Sequence, residues 1–360
     1  MLDQRASVLD TDVLVIGAGQ AGLAAGYHLT RNGVKFVIAE REGRAGASWL
    51  RRYKSLTLFT PRRLDELPGL SLKGEAGGYP TRDEFAAYLD AYAKAYHLPI
   101  RYGFPITRQE RFDGGRFLAT GPGPELISAR AVVVATGGFQ VPVVPALSSR
   151  LERSVVQLTP ETYRNLGSIA QGPVLVIGDG ASGRDIAAER SLLHTVLLSG
   201  GRRRRLLPER ILGVSIWTWL AVTGLLRAPA ESLLGRKMRE ADPFSNRSRS
   251  DRHLLDRGVV RKVRLTRVHG NRAIFADGSS ADVGAVIWCM GYRDEFGWLA
   301  IEEAKDTSGN VKHDKGHSPV AGLFYVGRPW QRNRVSGLVL GVGEDARLIV
   351  EAALRLCGRS

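Results

Sequence analysis

One pattern occurs twice in this chain and constrains its fold more than any other feature. An apolar run, Asp12-Val-Leu-Val-Ile16, leads into Gly17-Ala-Gly19-Gln20-Ala21-Gly22 and then into residues with helical spacing. A second run, Val174-Leu-Val-Ile177, leads into Gly178-Asp-Gly180-Ala181-Ser182-Gly183 and again into a helical pattern. A short, wholly apolar run bounded by glycines suits a strand buried on both faces of a parallel sheet. In a strand–G-x-G-x-x-G–helix unit the first glycine permits the tight turn and the second lets backbone approach a pyrophosphate. The third lets helix and strand pack closely. The free N–H groups and the dipole at the helix start then favour the diphosphate. The copies begin at Gly17 and Gly178, far too distant for a solenoid period, so they read as two separate dinucleotide-binding units.

The two fingerprints differ in their downstream residues. After the first, the run Lys35-Phe-Val-Ile-Ala39 ends at Glu40, near the spacing expected of an acid that binds a free ribose hydroxyl. After the second, the run Thr195-Val-Leu-Leu-Ser199 is followed by Gly200-Gly201 and then by Arg202, Arg203, Arg204 and Arg205. Arginines in that place suit a 2′-phosphate. The first unit is therefore expected to hold an ADP moiety with a free ribose, as in FAD, and the second NADP, with NADPH as the hydride source. Two such sites in one chain imply electron passage between two dinucleotides, the hard chemistry residing in the cofactors.

A chain of 360 residues has room for about two domains. The reading is an α/β fold of two Rossmann-like dinucleotide-binding domains, the NADP domain inserted in the FAD domain. Residues 1–150 and 290–360 form the two parts of the FAD domain, and 151–289 the NADP domain. Thr81-Arg-Asp-Glu84 reads as a capping box opening a helix whose Phe85, Tyr88, Leu89, Tyr92 and Tyr96 form one core-facing stripe. Arg272 to Gly278 reads as a hairpin arm with an Asp-Gly turn. Residues 228–252, rich in Ser, Arg and Pro, read as a mobile excursion. The uncharged stretch Ile211–Leu226 falls short of the roughly 18 apolar residues that span a bilayer. It reads as a helical lid or core element, with a membrane-surface or oligomer contact as the alternative.

Two cysteines, Cys289 and Cys357, with no C-x-x-C spacing, exclude a metal finger and a dithiol redox centre, and no metal site is expected. They suit a reducing, cytoplasmic compartment. The first twelve residues carry acids and no apolar segment, unlike a secretory signal. The net charge of +15 attracts polyanions without choosing among them. No nucleic-acid-binding motif stands out, so no such partner is expected.

Further motifs accompany the fingerprints: Gly46-Ala-Ser48-Trp49, Leu56-Thr-Leu-Phe59-Thr-Pro61, Ala135-Thr136-Gly137 with Pro142 and Pro145, Trp288-Cys289-Met-Gly291-Tyr292, and Gly322-Leu-Phe-Tyr-Val-Gly327. With them the chain resembles, over nearly its whole length, the bacterial flavin-containing monooxygenases, class B flavoproteins related to Baeyer–Villiger and N-hydroxylating monooxygenases. The resemblance implies roles. The first fingerprint, Glu40 and Arg41 would hold the ADP half of FAD, while Ser48, Trp49, Leu56 and Phe59 would line the flavin. Ala135, Thr136 and Gly137 would close the first domain, and Gly327, Ser336 and Leu338 would approach the ribityl chain and ring. The second fingerprint, Ser199, Arg202, Arg203 and Arg204 would hold NADPH, with Cys289 and Gly291 beside it. Phe59 and Tyr163 would line the reacting rings as candidate catalytic residues.

The resemblance further implies hydride transfer from NADPH to FAD, reaction with O2 to a flavin C4a-(hydro)peroxide, and oxygenation of a small organic substrate. That oxygenation would be at sulfur or nitrogen, or of Baeyer–Villiger type. The family's identifying stretch is altered here: Arg153, Val155 and Thr159 stand where it has Phe, Gly and His, and only Tyr163 is kept. Two other readings stay open, an NADPH–flavin reductase passing electrons to a partner and a non-enzymatic flavin/NADP redox sensor. A monomer or homodimer is expected.

Overall fold

The structure, a computed structural model, describes residues 7–169, 172–201, 206–246 and 249–358. Along the chain, strand β1 (Val8–Ile16) passes through the first glycine turn into helix α1 (Gln20–Arg31). Strand β2 (Phe36–Ala39), helix α2 (Arg82–Ala95) and strands β3 (Ile100–Arg101), β4 (Arg108–Arg111), β5 (Phe117–Thr120) and β6 (Leu126–Val134) come after it. Next are β7 (Val156–Leu158), β8 (Val174–Ile177), α3 (Ala181–Arg190) and β9 (Val196–Ser199). A hairpin of β10 (Arg210–Ile211) and β11 (Val214–Ser215) leads into α4 (Ile216–Val222), then α5 (Leu233–Ala241) and α6 (Asp251–Asp256). Strands β12 (Val260–Lys262), β13 (Ala285–Trp288) and β14 (Leu323–Tyr325) lead to helix α7 (Val339–Leu356).

These strands form two principal sheets. The first runs β3-β2-β1-β6-β5-β4, and β14 returns to pair in parallel with the last residues of β6. The second, β12-β9-β8-β13-β7, is parallel throughout. The expected α/β fold with two sheets is present, but only the second is parallel throughout; the first is mixed, since β4–β5 and β5–β6 pair antiparallel. Every residue of β8, β9 and β13 is buried, as expected of strands covered on both faces. On one side of the first sheet α1, α2 and α7 build a core that includes Leu23, Phe85, Leu89 and Ile349. On the other, Phe104, Phe117, Leu299 and Tyr325 pack together.

The aromatic stripe on α2 is core, as its spacing predicts. Thr81 and Glu84 cap the helix reciprocally, and the Tyr88 and Tyr92 hydroxyls reach the backbone of the loop at 67–70. Residues 228–252 differ from expectation. Where described they hold α5 and the start of α6, each opened by a serine cap, Ser232 and Ser250. Polar composition here supplied caps rather than slack. The uncharged stretch also differs, for only Ile216–Val222 is α-helical. Its first residues instead close a hairpin through a two-residue turn, Leu212-Gly213, with φ of 50° and 76°. Left-handed backbone at a leucine costs about 1–2 kcal/mol.

At both fingerprints the helix sits on the turn with no room for a side chain. A Cβ on Gly22 would lie 1.8 Å from the Gly17 carbonyl oxygen, and one on Gly183 1.9 Å from that of Gly178. Nothing lies within 4 Å of the corresponding position on Gly19 or Gly180. Gly22→Ala should lower the unfolding free energy by about 3 kcal/mol through backbone overpacking, whereas Gly19→Ala should leave it within about 0.5 kcal/mol. Urea denaturation of the two variants checks this, and equal losses would contradict it.

Candidate functional site

The carboxyl ends of β1 and β8 open onto one cavity of about 1470 Å³. That exceeds the roughly 300–1,000 Å³ of an ordinary small-molecule pocket and suits two extended ligands. Both fingerprints lie in its wall. The N-caps of α1 and α3 are Gly19 and Gly180, and neither helix has a side-chain cap. The first N–H groups of each helix, which have no intrahelical acceptor, therefore remain available over the open space beside these glycines. A diphosphate fits that cradle by both charge and shape.

Glu40, nearly buried, stands at the end of β2. Its Oε2 accepts from the Ala18 N–H at 2.6 Å and its Oε1 from the Glu42 N–H at 2.9 Å. Each oxygen keeps a lone pair for a ribose hydroxyl. At the second fingerprint the equivalent register, Ile177 beside Ser199, puts Gly200 in the place of Glu40. A Cβ on Gly200 would meet Asp179 Cβ at 2.7 Å, so the Asp179 side chain excludes an acid there. The Asp179 carboxylate is itself paired with Arg184 and with Arg261, the latter at 2.7 and 2.9 Å. The second tip thus has no free carboxylate from either residue to repel a 2′-phosphate.

Most of the residues singled out from sequence meet at this cavity. Its wall includes Gly17, Gly19, Gln20, Ala21, Glu40, Arg41, Ser48, Trp49, Leu56 and Phe59 from the first part of the chain. Ala135, Thr136 and Gly137 join them, then Gly178, Gly180, Ala181, Ser182, Gly183 and Ser199. Cys289, Gly291, Gly327, Ser336 and Leu338 complete the set. Trp49 is oriented by a hydrogen bond from Nε1 to Gln20 Oε1 (3.2 Å) and an edge contact with Phe85.

Three expectations change, and one falls outside the described residues. Tyr163 is not at the site: fully buried, it packs in the core of the second sheet near Arg190, because an aromatic next to an apolar sheet face is worth more buried than lining a wet cavity. Ser199 reaches the wall, but its hydroxyl donates to the Val263 carbonyl and accepts from the Leu265 N–H, leaving it engaged by backbone. Gly22 lies beneath the wall, as a packing glycine. Arg202, Arg203 and Arg204 lie outside the described residues.

Other groups at the site carried no sequence signal. Arg52 stacks on Tyr292 (4.8 Å) and Phe139 (5.5 Å) and hydrogen-bonds the Tyr292 hydroxyl. Tyr53 and Ser55 reach across to α3, bonding Asp185 and Glu189 at 3.0 and 2.7 Å. This links the loop after Trp49 to the second fingerprint helix. Phe59, in the cavity wall, packs on Trp217 of α4 at 5.1 Å, so α4 backs the wall at that point without lining it.

Asp65, 1% exposed, sits in the same wall. Its Oδ1 accepts from the Thr60 hydroxyl at 2.5 Å, and its Oδ2 is buried without a hydrogen-bond partner. Burial pushes this carboxyl up to about 8, against smaller opposing effects of the Thr60 hydroxyl and the Arg62 charge. Because the folded value lies above the usual 3.8, the native state holds a proton between pH 3.8 and about 8 that the unfolded chain has released. The group's contribution to stability is full below that window and is lost as pH rises through it. Asp65→Asn, neutral throughout, should gain on the wild type with rising pH by up to ~1.4 kcal/mol per unit. Urea denaturation at a series of pH values between about 5 and 8 reads this; parallel profiles would refute it.

Comparison with known proteins agrees with this geometry. A family model described as pyridine nucleotide-disulphide oxidoreductase matches residues 14–196. The chain is 40% identical to an uncharacterised CzcO-like oxidoreductase of Geobacillus kaustophilus, over 95% of this chain and 98% of that protein. It is 29% identical to the indole-3-pyruvate monooxygenase YUCCA4 of Oryza sativa, over 94% of this chain and 86% of that one. The solved flavin-containing monooxygenase of Stenotrophomonas maltophilia superposes with a TM-score of 0.80 at 28% identity, covering 97% of this chain and 99% of that chain.

Proposed function

We propose that this chain, which belongs to the pyridine nucleotide-disulphide oxidoreductase family, is an NADPH- and FAD-dependent monooxygenase acting on a small organic substrate. The observation that carries this reading is the pair of uncapped helix N-termini, each beside an open glycine, on one cavity large enough for two dinucleotides. In this reading residues 1–150 and 290–360 hold FAD and 151–289 hold NADPH.

Bound FAD would supply hydride acceptance from NADPH and the activation of O2. The chain's part is to bind, orient and exclude water. The α1 N-terminus takes the FAD diphosphate and Glu40 accepts from its adenosine ribose. Trp49, Leu56 and Phe59 supply apolar wall for the ring. The α3 N-terminus takes the NADPH diphosphate, and the arginine run after Gly201 is assigned to its 2′-phosphate. The Tyr53–Asp185 and Ser55–Glu189 bonds hold the two tips in register, since hydride transfer needs fixed approach of the two rings. Trp217 against Phe59 closes the wall toward α4 and keeps water from the reacting centre.

A disulfide relay to a partner is disfavoured by the same site. Neither Cys289 nor Cys357 is in a disulfide bond, and burial pushes the Cys289 thiol, in the cavity wall, up to about 12. A thiol so held is protonated and a poor nucleophile.

Two experiments test the reading. FAD-loaded protein given NADPH, 18O2 and a panel of sulfides, amines and ketones should form a product carrying a single labelled oxygen. Release of all consumed oxygen as hydrogen peroxide with every substrate would overturn it. Trp217→Ala should keep NADPH oxidation within about threefold while raising peroxide released per NADPH severalfold, because water then reaches the centre. Simultaneous peroxide and NADPH assays measure the ratio, and an unchanged ratio would remove Trp217 from the cover.

A further inference from the structure

Leu212 meets none of the usual requirements of a buried leucine. It stands at the tip of the β10–β11 hairpin, where Leu212 and Gly213 both have positive φ, as a two-residue type I′ turn requires. Asparagine is the favoured residue at its position. Its side chain is 89% exposed, so no burial offsets the backbone strain. Strain kept at an exposed position points to a role outside the chain's own stability.

The surroundings point to that role. Trp219 Nε1 donates to the Ile211 carbonyl at 3.1 Å, which brings a partly exposed indole against the hairpin. Val222, 78% exposed, lies three residues further on the same face of α4, and exposed Leu225 comes after it. Ile211, Leu212, Trp219, Val222 and Leu225 thus make one apolar patch. Basic groups rim it. The Arg210 guanidinium folds onto the Gly213 carbonyl at 3.0 Å, beside the hairpin tip. That of Arg63 reaches the Thr218 hydroxyl on α4 at 2.6 Å, and exposed Arg227, ion-paired with Glu344 at 3.1 Å, lies just beyond Leu225.

We propose that this patch docks peripherally on a lipid bilayer bearing anionic headgroups. Leu212, Trp219 and Val222 enter the boundary between headgroups and acyl chains, and Arg63 and Arg210 meet the headgroup phosphates. An indole with one apolar and one hydrogen-bonded end belongs at such an interface. Apolar side chains ringed by arginine are the composition of a peripheral membrane contact. The net charge of +15 draws the whole chain to an anionic surface. No helix among the described residues is long and apolar enough to cross a membrane, so the contact is with one leaflet. Five apolar side chains fall well short of the 20–30 residues that a stable dimer buries on each partner, which sets a second copy of the chain aside.

Flotation of the full-length, FAD-loaded protein with vesicles tests this. It should float with phosphatidylcholine–phosphatidylglycerol vesicles and bind phosphatidylcholine alone on the order of tenfold more weakly. Leu212→Asn suits the turn better, so it should keep or raise the thermal midpoint while weakening vesicle binding on the order of tenfold. On binding, vesicles of brominated lipid should quench tryptophan emission, and quench it less in Trp219→Phe. Failure of the wild type to float, or equal flotation of Leu212→Asn, would overturn the proposal. So would a dimer in solution, seen by light scattering, that Leu212→Asn converts to monomer, since it would assign the patch to a second copy.

Discussion

At both fingerprints backbone packs directly on backbone. Gly22 lies against the Gly17 carbonyl and Gly183 against that of Gly178, so near that no side chain can intervene. This contact lets α1 and α3 begin directly at the end of a buried strand, with their first N–H groups turned to the cavity. A capping side chain would satisfy those donors and close the site to a diphosphate. Both helices do without one. The binding capacity of the site and the tight packing beneath it therefore have the same origin.

From that shared device the two halves diverge through one residue each. At the end of β2, Glu40 holds two backbone N–H groups and faces the first tip. At the end of β9, Asp179 reaches over from within the second fingerprint, leaves room only for Gly200, and is paired by Arg184 and Arg261. A fingerprint that looks the same in sequence thus presents a free-standing acid in one case and an acid paired with two arginines in the other. That difference is the electrostatic basis for assigning two different dinucleotides to one cavity.

The cover over the cavity has two faces. Trp217 of α4 is buried against Phe59, while Trp219, two residues on, points toward solvent beside the hairpin. The outer face of α4 meets the hairpin through Trp219, and its inner face backs the cavity wall through Trp217 and Phe59. The altered identifying stretch at 153–163 has a parallel explanation. Tyr163, the one position kept, is held by the second sheet's core, so its retention reflects packing rather than contact with a cofactor.

The elements legible in the sequence were those fixed by neighbours in the chain. The glycine fingerprints, the Thr81–Glu84 capping box and the Asp277–Gly278 hairpin each depend on a few consecutive residues, and local sterics and hydrogen bonding suffice to specify them. What could not be read there depended on partners far away in sequence. Asp65 becomes a proton-holding carboxyl because distant segments bury it, Ser199 loses its hydroxyl to Val263 and Leu265, and Tyr163 turns into a core. Residues 228–252 look like loop in composition and yet, where described, hold α5 and the start of α6, each opened by a serine cap that offsets weak propensity. The amino-acid order alone determined two buried strands that end in diphosphate-binding turns. Only the tertiary structure decided that both turns open on one cavity and which of its side chains are free, because desolvation and pairing are set by what folds against a residue.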